Sequence, residues 1–191
     1  MAGHAPSLLT SQRGAKTCIR GRQPADHKGI WLKMAKKGHG VTSLTLAEAV
    51  DGGLCFGWID GQLNKFDERW YLIRFTPRRP RSRWSEINVA RAEALLAEGS
   101  IRPGGLRQIE AARADGRWEA AYPPASRILV PEDLAAALDA SPEVKARFEG
   151  LKSADRYGVL HRLHHVTGTA RRQAAVAQTL ERLLSGQADR G

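Results

Sequence analysis

Leu54 to Leu63 reads LCFGWIDGQL, and Trp70 to Thr76 reads WYLIRFT, with the polar linker NKFDER from Asn64 to Arg69 between them. The first stretch is apolar and broken by glycine, and it reads as a strand running into a turn. In the second, Tyr71, Ile73 and Phe75 alternate with Trp70, Leu72 and Arg74. Successive strand side chains point to opposite faces, so this strand has one apolar face and one amphipathic face. A hairpin is the simplest connection between the two. Pro77 and Pro80 then stop the sheet, because proline cannot donate a ladder hydrogen bond.

Upstream, GIWLKMAKK at Gly29 to Lys37 alternates Ile30, Leu32 and Met34 with Trp31, Lys33 and Ala35, which suits a further strand. A helix should begin at Ser43 or Thr45, since Thr45 stands three residues before Glu48 in the spacing of a capping box. Leu46, Ala49, Val50 and Gly53 would form its inner face, and Gly52-Gly53 would end it. Downstream, Ser85 can cap a helix from Glu86 to about Glu98, with Gly99 past its end. Pro103 can open another that carries Leu106, Ile109 and Ala112 inward and stops at Gly116. Pro123-Pro124 enforces an extended linker. Beyond it helices are expected from Pro131, with Leu134 and Leu138 inward, and from Ser141, with Val144, Phe148 and Leu151 inward. Two more should run over Ser153 to His165 and Thr169 to Leu184.

The expected fold is α+β: a small antiparallel β-hairpin or sheet packed with helices, then a C-terminal helical bundle, after a disordered basic N-terminal tail. In residue terms this is a leader over 1–27, a core over 28–122, a helical region over 123–186 and a tail over 187–191. The 191 residues suffice for one ordinary domain with a helical appendage.

The formal net charge is +10 and the sequence pI about 10.2, so polyanions are attracted to the surface over about 8 Å at physiological salt. Much of the excess lies in residues 1–40, where Arg13, Lys16, Arg20, Arg22, Lys28, Lys33, Lys36 and Lys37 face the single acid Asp26, eight minus one giving +7. Cys18 and Cys55 lack CxxC pairing or a histidine at ligand spacing, which points away from a disulfide framework or zinc site and toward a reducing compartment. No run approaches the ~20 apolar residues of a membrane-spanning helix. The first residues are Arg-rich and acid-free until Asp26, faintly like a transit peptide, but lack the apolar core of a secretory signal.

LCFGWIDG at Leu54 to Gly61, RFTPRRPRSRWSEIN at Arg74 to Asn88 and AEGSIRPGGLRQIEAARADGRW at Ala97 to Trp118 together resemble the YdeI/OmpD-associated, or bacteriocin-protection, family. The resemblance extends over roughly residues 30–186. The C-terminal helices depart from the family pattern, carrying Leu160-His161, His164-His165 and Thr169 to Gln173 where other residue types are usual. The resemblance implies an α+β domain, a cytoplasmic location and an association by name with resistance to bacteriocins or cationic peptides. It brings no known reaction and no catalytic residue.

The most promising site is the strip from Arg69 to Arg83, with Arg69, Arg74, Arg78, Arg79, Arg81 and Arg83 and no acid between Arg69 and Arg83. Guanidinium groups offer a planar fork of donors for phosphate or carboxylate. Ser82, Trp84 and Ser85 lie at the end of the strip, where the following helix opens with a partial positive end. The plainer reading is that these arginines solvate a loop and pair with Asp60, Asp67, Glu68 or Glu86. Trp58 and Asp60 should share a strand face, so that Asp60 meets Arg74 or Arg78; alternatively the tryptophan is core and the aspartate orders a turn. His161, His164 and His165 fall near one helix face, but without an acid or cysteine beside them they read as an exposed cluster, not a metal site. Cys55, within an apolar strand, reads as a small buried hydrophobe. No GxSxG, P-loop or GxGxxG is present.

These residues lead to a non-enzymatic stress- or bacteriocin-protection protein that binds an anionic small molecule or acidic protein surface. The expected contacts are Trp58, Asp60, Arg74, Arg78, Arg79, Arg81, Ser82, Trp84 and Ser85, with no cofactor or metal. Two alternatives stand beside it. One is a nucleic-acid-binding protein, for which non-specific binding at low salt is expected and sequence-specific recognition is not; the other is an enzyme using Asp60 with arginines.

Overall fold

The computed structural model describes residues 29–41 and 43–186, together with the backbone of Leu8–Thr10. The expected tail at 187–191 and most of the expected leader lie outside the described residues. The chain divides after Ala121 into two compact units.

In the first unit the three-residue strand β1 (Leu8–Thr10) pairs parallel to β2 (Ile30–Ala35). β2 pairs antiparallel with β4 (Trp70–Pro77), which in turn pairs antiparallel with β3 (Trp58–Lys65). The expected hairpin is therefore present as β3 and β4. Its turn is fixed by Asp67, whose Oδ1 accepts from the N–H groups of Arg69 and Trp70, both at 2.8 Å. The alternation expected of β2 and β4 also holds. Ile30, Leu32 and Met34 are buried with Ile73 and Phe75 on one face of the sheet, where Trp58 and Ala49 join them.

Helix α1 (Leu46–Phe56) covers that face, opened by the expected capping box between Thr45 and Glu48. Gly52-Gly53, expected to end this helix, do not: Leu54 to Phe56 form its last turn and are not strand. Gly53 serves close packing instead, since a Cβ there would stand 3.0 Å from two ring carbons of Phe75. The chain leaves the helix at Gly57, with φ 79° and ψ 29°, where its N–H reaches the carbonyls of Gly53 and Leu54. Cys55 is consequently a half-buried helical residue, not a strand residue. Leu46, expected inward, is 44% exposed.

Helices α2 (Glu86–Ala97) and α3 (Pro103–Ala114) complete the unit. Leu54 of α1 joins Trp84, Ala92, Ile109, Ala112 and Trp118 in a second core cluster. Leu106 is 41% exposed; the inner face at the start of α3 belongs to Gly105, whose missing side chain admits the backbone of α1.

The second unit consists of α4 (Glu132–Asp139), α5 (Pro142–Glu149), α6 (Ser153–His164) and α7 (Thr169–Leu184). Its core gathers residues from all four helices, among them Leu134, Leu138, Val144, Phe148, Leu163 and Val176. Leu151 is only half-buried against it, and Ser141 makes no side-chain cap bond. Arg172 of α7 holds Asp133 of α4 with a two-pronged bond, Nε at 2.6 Å and Nη2 at 2.8 Å, and donates to the Leu163 carbonyl.

Candidate functional site

Between β4 and α2 the chain makes a tight turn over Arg79, Pro80, Arg81 and Ser82. The Ser82 N–H donates to the Arg79 carbonyl at 3.0 Å, and the Arg79 N–H donates to Ser82 Oγ at the same distance. Proline supplies the fixed φ of the second position in such a turn. The third position is then left-handed, and Arg81 adopts φ 69°, alone in that region among the described non-glycine residues. Glycine or asparagine is the ordinary occupant there, so an arginine is held against its own preference.

The turn is fixed from behind by two other guanidinium groups. Arg78, which is 4% exposed, donates from Nη1 to the Arg83 carbonyl at 3.1 Å and lies over the Trp84 ring, 3.7 Å from its centroid. Trp84 in turn packs at 4.8 Å against Trp118, over whose ring the Arg113 guanidinium lies at 5.0 Å from the centroid. Arg117 donates to the Ser82 carbonyl at 2.7 Å. It also grips Asp115, and that hydrogen bond holds the Asp115 carboxyl below the usual carboxylate range. The role of Arg117 was invisible in the sequence, where 35 residues separate it from Ser82.

Of the nine residues expected at the site, the structure brings Arg79, Arg81 and Ser82 together on the turn. Arg79, Arg81 and Arg83 are exposed, and among the described residues no carboxylate forms an ion pair with them. Arg78 and Trp84 are buried beneath. Ser85 spends its hydroxyl on capping α2, accepting from the Asn88 N–H at 3.1 Å. Trp58 is part of the sheet core. Asp60 is in register with Phe75, which puts it on the core face, whereas Arg74 is in register with Trp31 on the other face. The expected meeting of Asp60 with Arg74 is thus ruled out by the pleat, since neighbours along a strand point opposite ways.

A second feature had no sequence signature. A cleft of about 740 Å³ between α1 and α2 is lined by Glu48, Asp51, Cys55, Arg91, Glu98 and Arg102 among others. None of the nine expected residues lines it. Its most prominent ion pair is internal, Arg91 holding both oxygens of Asp51 at 2.7 Å. The histidines lie elsewhere, in the second unit: Nε2 of His161 is 3.3 Å from Nε2 of His165, and the Tyr122 ring meets both edge-on. Among the described residues no group of three or more metal-ligating side chains exists.

These features define an α+β protein with an arginine-bearing turn on its first unit and a four-helix second unit. Residues 128–186, nearly the whole of that second unit, match the model of the family described as Bacteriocin-protection, YdeI or OmpD-Associated. Residues 21–108 match a different family model, described as Domain of unknown function (DUF8412). The strings from Leu54 to Asn88 that carry the sequence resemblance fall in this second match, while the helices that depart from the pattern fall in the first. No curated protein and no solved structure is significantly similar to the chain. Among the described residues no helix is long and apolar enough to cross a membrane.

Proposed function

We propose that this bacteriocin-protection-type chain is a non-enzymatic, cytoplasmic stress-protection protein that binds an anionic small molecule or acidic protein surface at the Arg79–Ser82 turn. The observation that carries the reading is the division of labour among the arginines. Arg78 and Arg117 fix the carbonyl side of the turn, and Arg79, Arg81 and Arg83 are left exposed on a backbone already shaped. Preorganisation of this kind reduces the ordering cost of capturing a ligand. Strain at a single residue, here the left-handed Arg81, is the kind of local cost that folds retain where a side chain has work to do.

Thermal unfolding of the full chain in rising inorganic phosphate, pyrophosphate or ATP tests the reading. A ligand at a hundred times its Kd stabilises by about 2.7 kcal/mol. The Arg79→Gln/Arg81→Gln double variant should lose that stabilisation. Arg81→Gly gives a sharper arm, because glycine relieves the left-handed backbone, worth about 1 kcal/mol, while removing a ligand contact. That variant should melt higher without ligand and gain less from it. Equal stabilisation of wild type and double variant by all three anions would reject the turn as the site.

A further inference from the structure

The charged residues that line the cleft between α1 and α2 are used in two different ways. Arg91 holds both carboxylate oxygens of Asp51 at 2.7 Å and donates to the Ala47 carbonyl at 2.9 Å, so this pair is spent on tying α2 to α1. Glu48 is engaged in the capping box of α1. The joint between α2 and α3 differs, and Glu98, Ser100 and Arg102 of that joint all line the cleft. Its backbone is fixed: the N–H groups of Glu98, Gly99, Ser100 and Arg102 donate to the carbonyls of Ala94, Leu96, Leu95 and Cys55 at 2.9 to 3.0 Å, and the chain turns at Gly99 with φ 67°. Among the described residues none of the three side chains makes a hydrogen bond or an ion pair, and Glu98 and Arg102 do not pair with each other. A carboxylate, a hydroxyl and a guanidinium are thus presented by a rigid joint to a cleft whose wall includes the half-buried Phe56 and Leu95.

We infer that this cleft binds a small zwitterion of the α-amino acid class. The ligand carboxylate lies on Arg102 and Ser100, the ammonium on Glu98, and an apolar side chain against Phe56 and Leu95. A volume of about 740 Å³ falls within the roughly 300–1,000 Å³ of small-molecule sites, which combine an apolar lining with a few convergent polar groups. The charge balance selects the zwitterion. A simple anion meets Glu98 as well as Arg102, a simple amine meets Arg102 as well as Glu98, and only a ligand with both charges finds a complement for each. A guanidinium takes a carboxylate through two parallel bonds, and charge-assisted bonds are roughly twice as strong as neutral ones. The inference is independent of the Arg79–Ser82 turn, none of whose residues lines the cleft.

Isothermal titration of the full chain with two sets of probes tests the inference. L-Leucine is compared with isocaproate and isoamylamine, and L-phenylalanine with hydrocinnamate and phenethylamine; each analogue keeps the side chain and only one of the two charges. At least one of the amino acids should bind at millimolar concentration or below, and roughly tenfold or more tightly than either of its analogues, the size of one lost charge-assisted bond. Arg102→Gln should reduce that amino acid to the affinity of its bare amine, and Glu98→Gln to that of its bare carboxylate. Both side chains are exposed, so these substitutions leave the fold in place, whereas a merely structural effect would weaken amino acid and analogues alike. Arg79→Gln/Arg81→Gln should leave amino-acid binding unchanged, which separates the cleft from the turn. Absence of binding by both amino acids at millimolar concentration, a single-charge analogue that binds as tightly as its amino acid, indifference to both cleft variants, or loss of binding in the turn variant would each overturn the inference.

Discussion

Gly105→Ala isolates the contact that joins α1 to α3. Built onto the observed backbone, the new Cβ would stand 2.5 Å from the Cys55 carbonyl oxygen, 2.6 Å from that of Leu54 and 2.9 Å from the Cys55 carbonyl carbon. All three are backbone atoms of a helix end, so no rotamer change relieves the clash. Restoring ordinary contact requires α1 and α3 to part by roughly 1 Å, against interiors packed as densely as organic crystals. That movement would stretch the 2.9 Å bond from the Arg102 N–H to the Cys55 carbonyl and loosen Ile109 and Ala112 against Leu54. Overpacking of this kind costs about 1–3 kcal/mol or more. Alanine returns up to about 1 kcal/mol through helix propensity, less at the first turn of α3 than in its interior. The net expectation is a loss of about 2 kcal/mol, and a fall in melting temperature of roughly 8 °C for a unit of this size. All five tryptophans, at 31, 58, 70, 84 and 118, belong to the first unit, so their emission during urea or thermal unfolding follows that unit selectively. A Gly105→Ala variant at least as stable as wild type by that signal would refute the packing argument.

The same substitution elsewhere should act with opposite sign. Gly158 lies inside α6 with ordinary backbone angles and nothing within 4 Å of an added Cβ. Gly158→Ala should therefore stabilise the second unit by up to about 1 kcal/mol, seen in the far-ultraviolet circular dichroism melt and not in tryptophan emission. The Asp133 carboxyl is held below its ordinary value mainly by the hydrogen bond from Arg172. A depressed carboxyl contributes stability that is fully present above its unfolded pKa of about 3.9 and fades as pH falls through the lower folded value. Asp133→Asn should remove that acid-limb dependence. Because the carboxylate is two-fifths exposed, the loss near neutral pH should stay below about 1 kcal/mol, read from urea midpoints at pH 7 and pH 3.

Several elements were legible in the sequence because their causes are local. The Thr45–Glu48 capping box, Ser85 ahead of Glu86 and Pro103 at a helix start each act within one turn of helix, and each stands where its spacing predicts. The two-residue alternations of Ile30–Ala35 and Trp70–Thr76 gave the inner face of the sheet directly. Gly52-Gly53 misled because glycine has two uses, leaving a helix and admitting a close neighbour, and only the position of Phe75 distinguishes them.

For the candidate site the sequence determined the crowding of arginines around two prolines and the likeness to a bacteriocin-protection family. It could not apportion those arginines. Whether Arg78 turns inward under Trp84, whether Arg117 reaches Ser82 and on which face Asp60 falls depend on contacts between segments far apart in the chain and on strand register. Such contacts leave no periodic trace in the amino-acid order. The tertiary structure alone therefore decided which guanidinium groups hold the turn and which ones face outward.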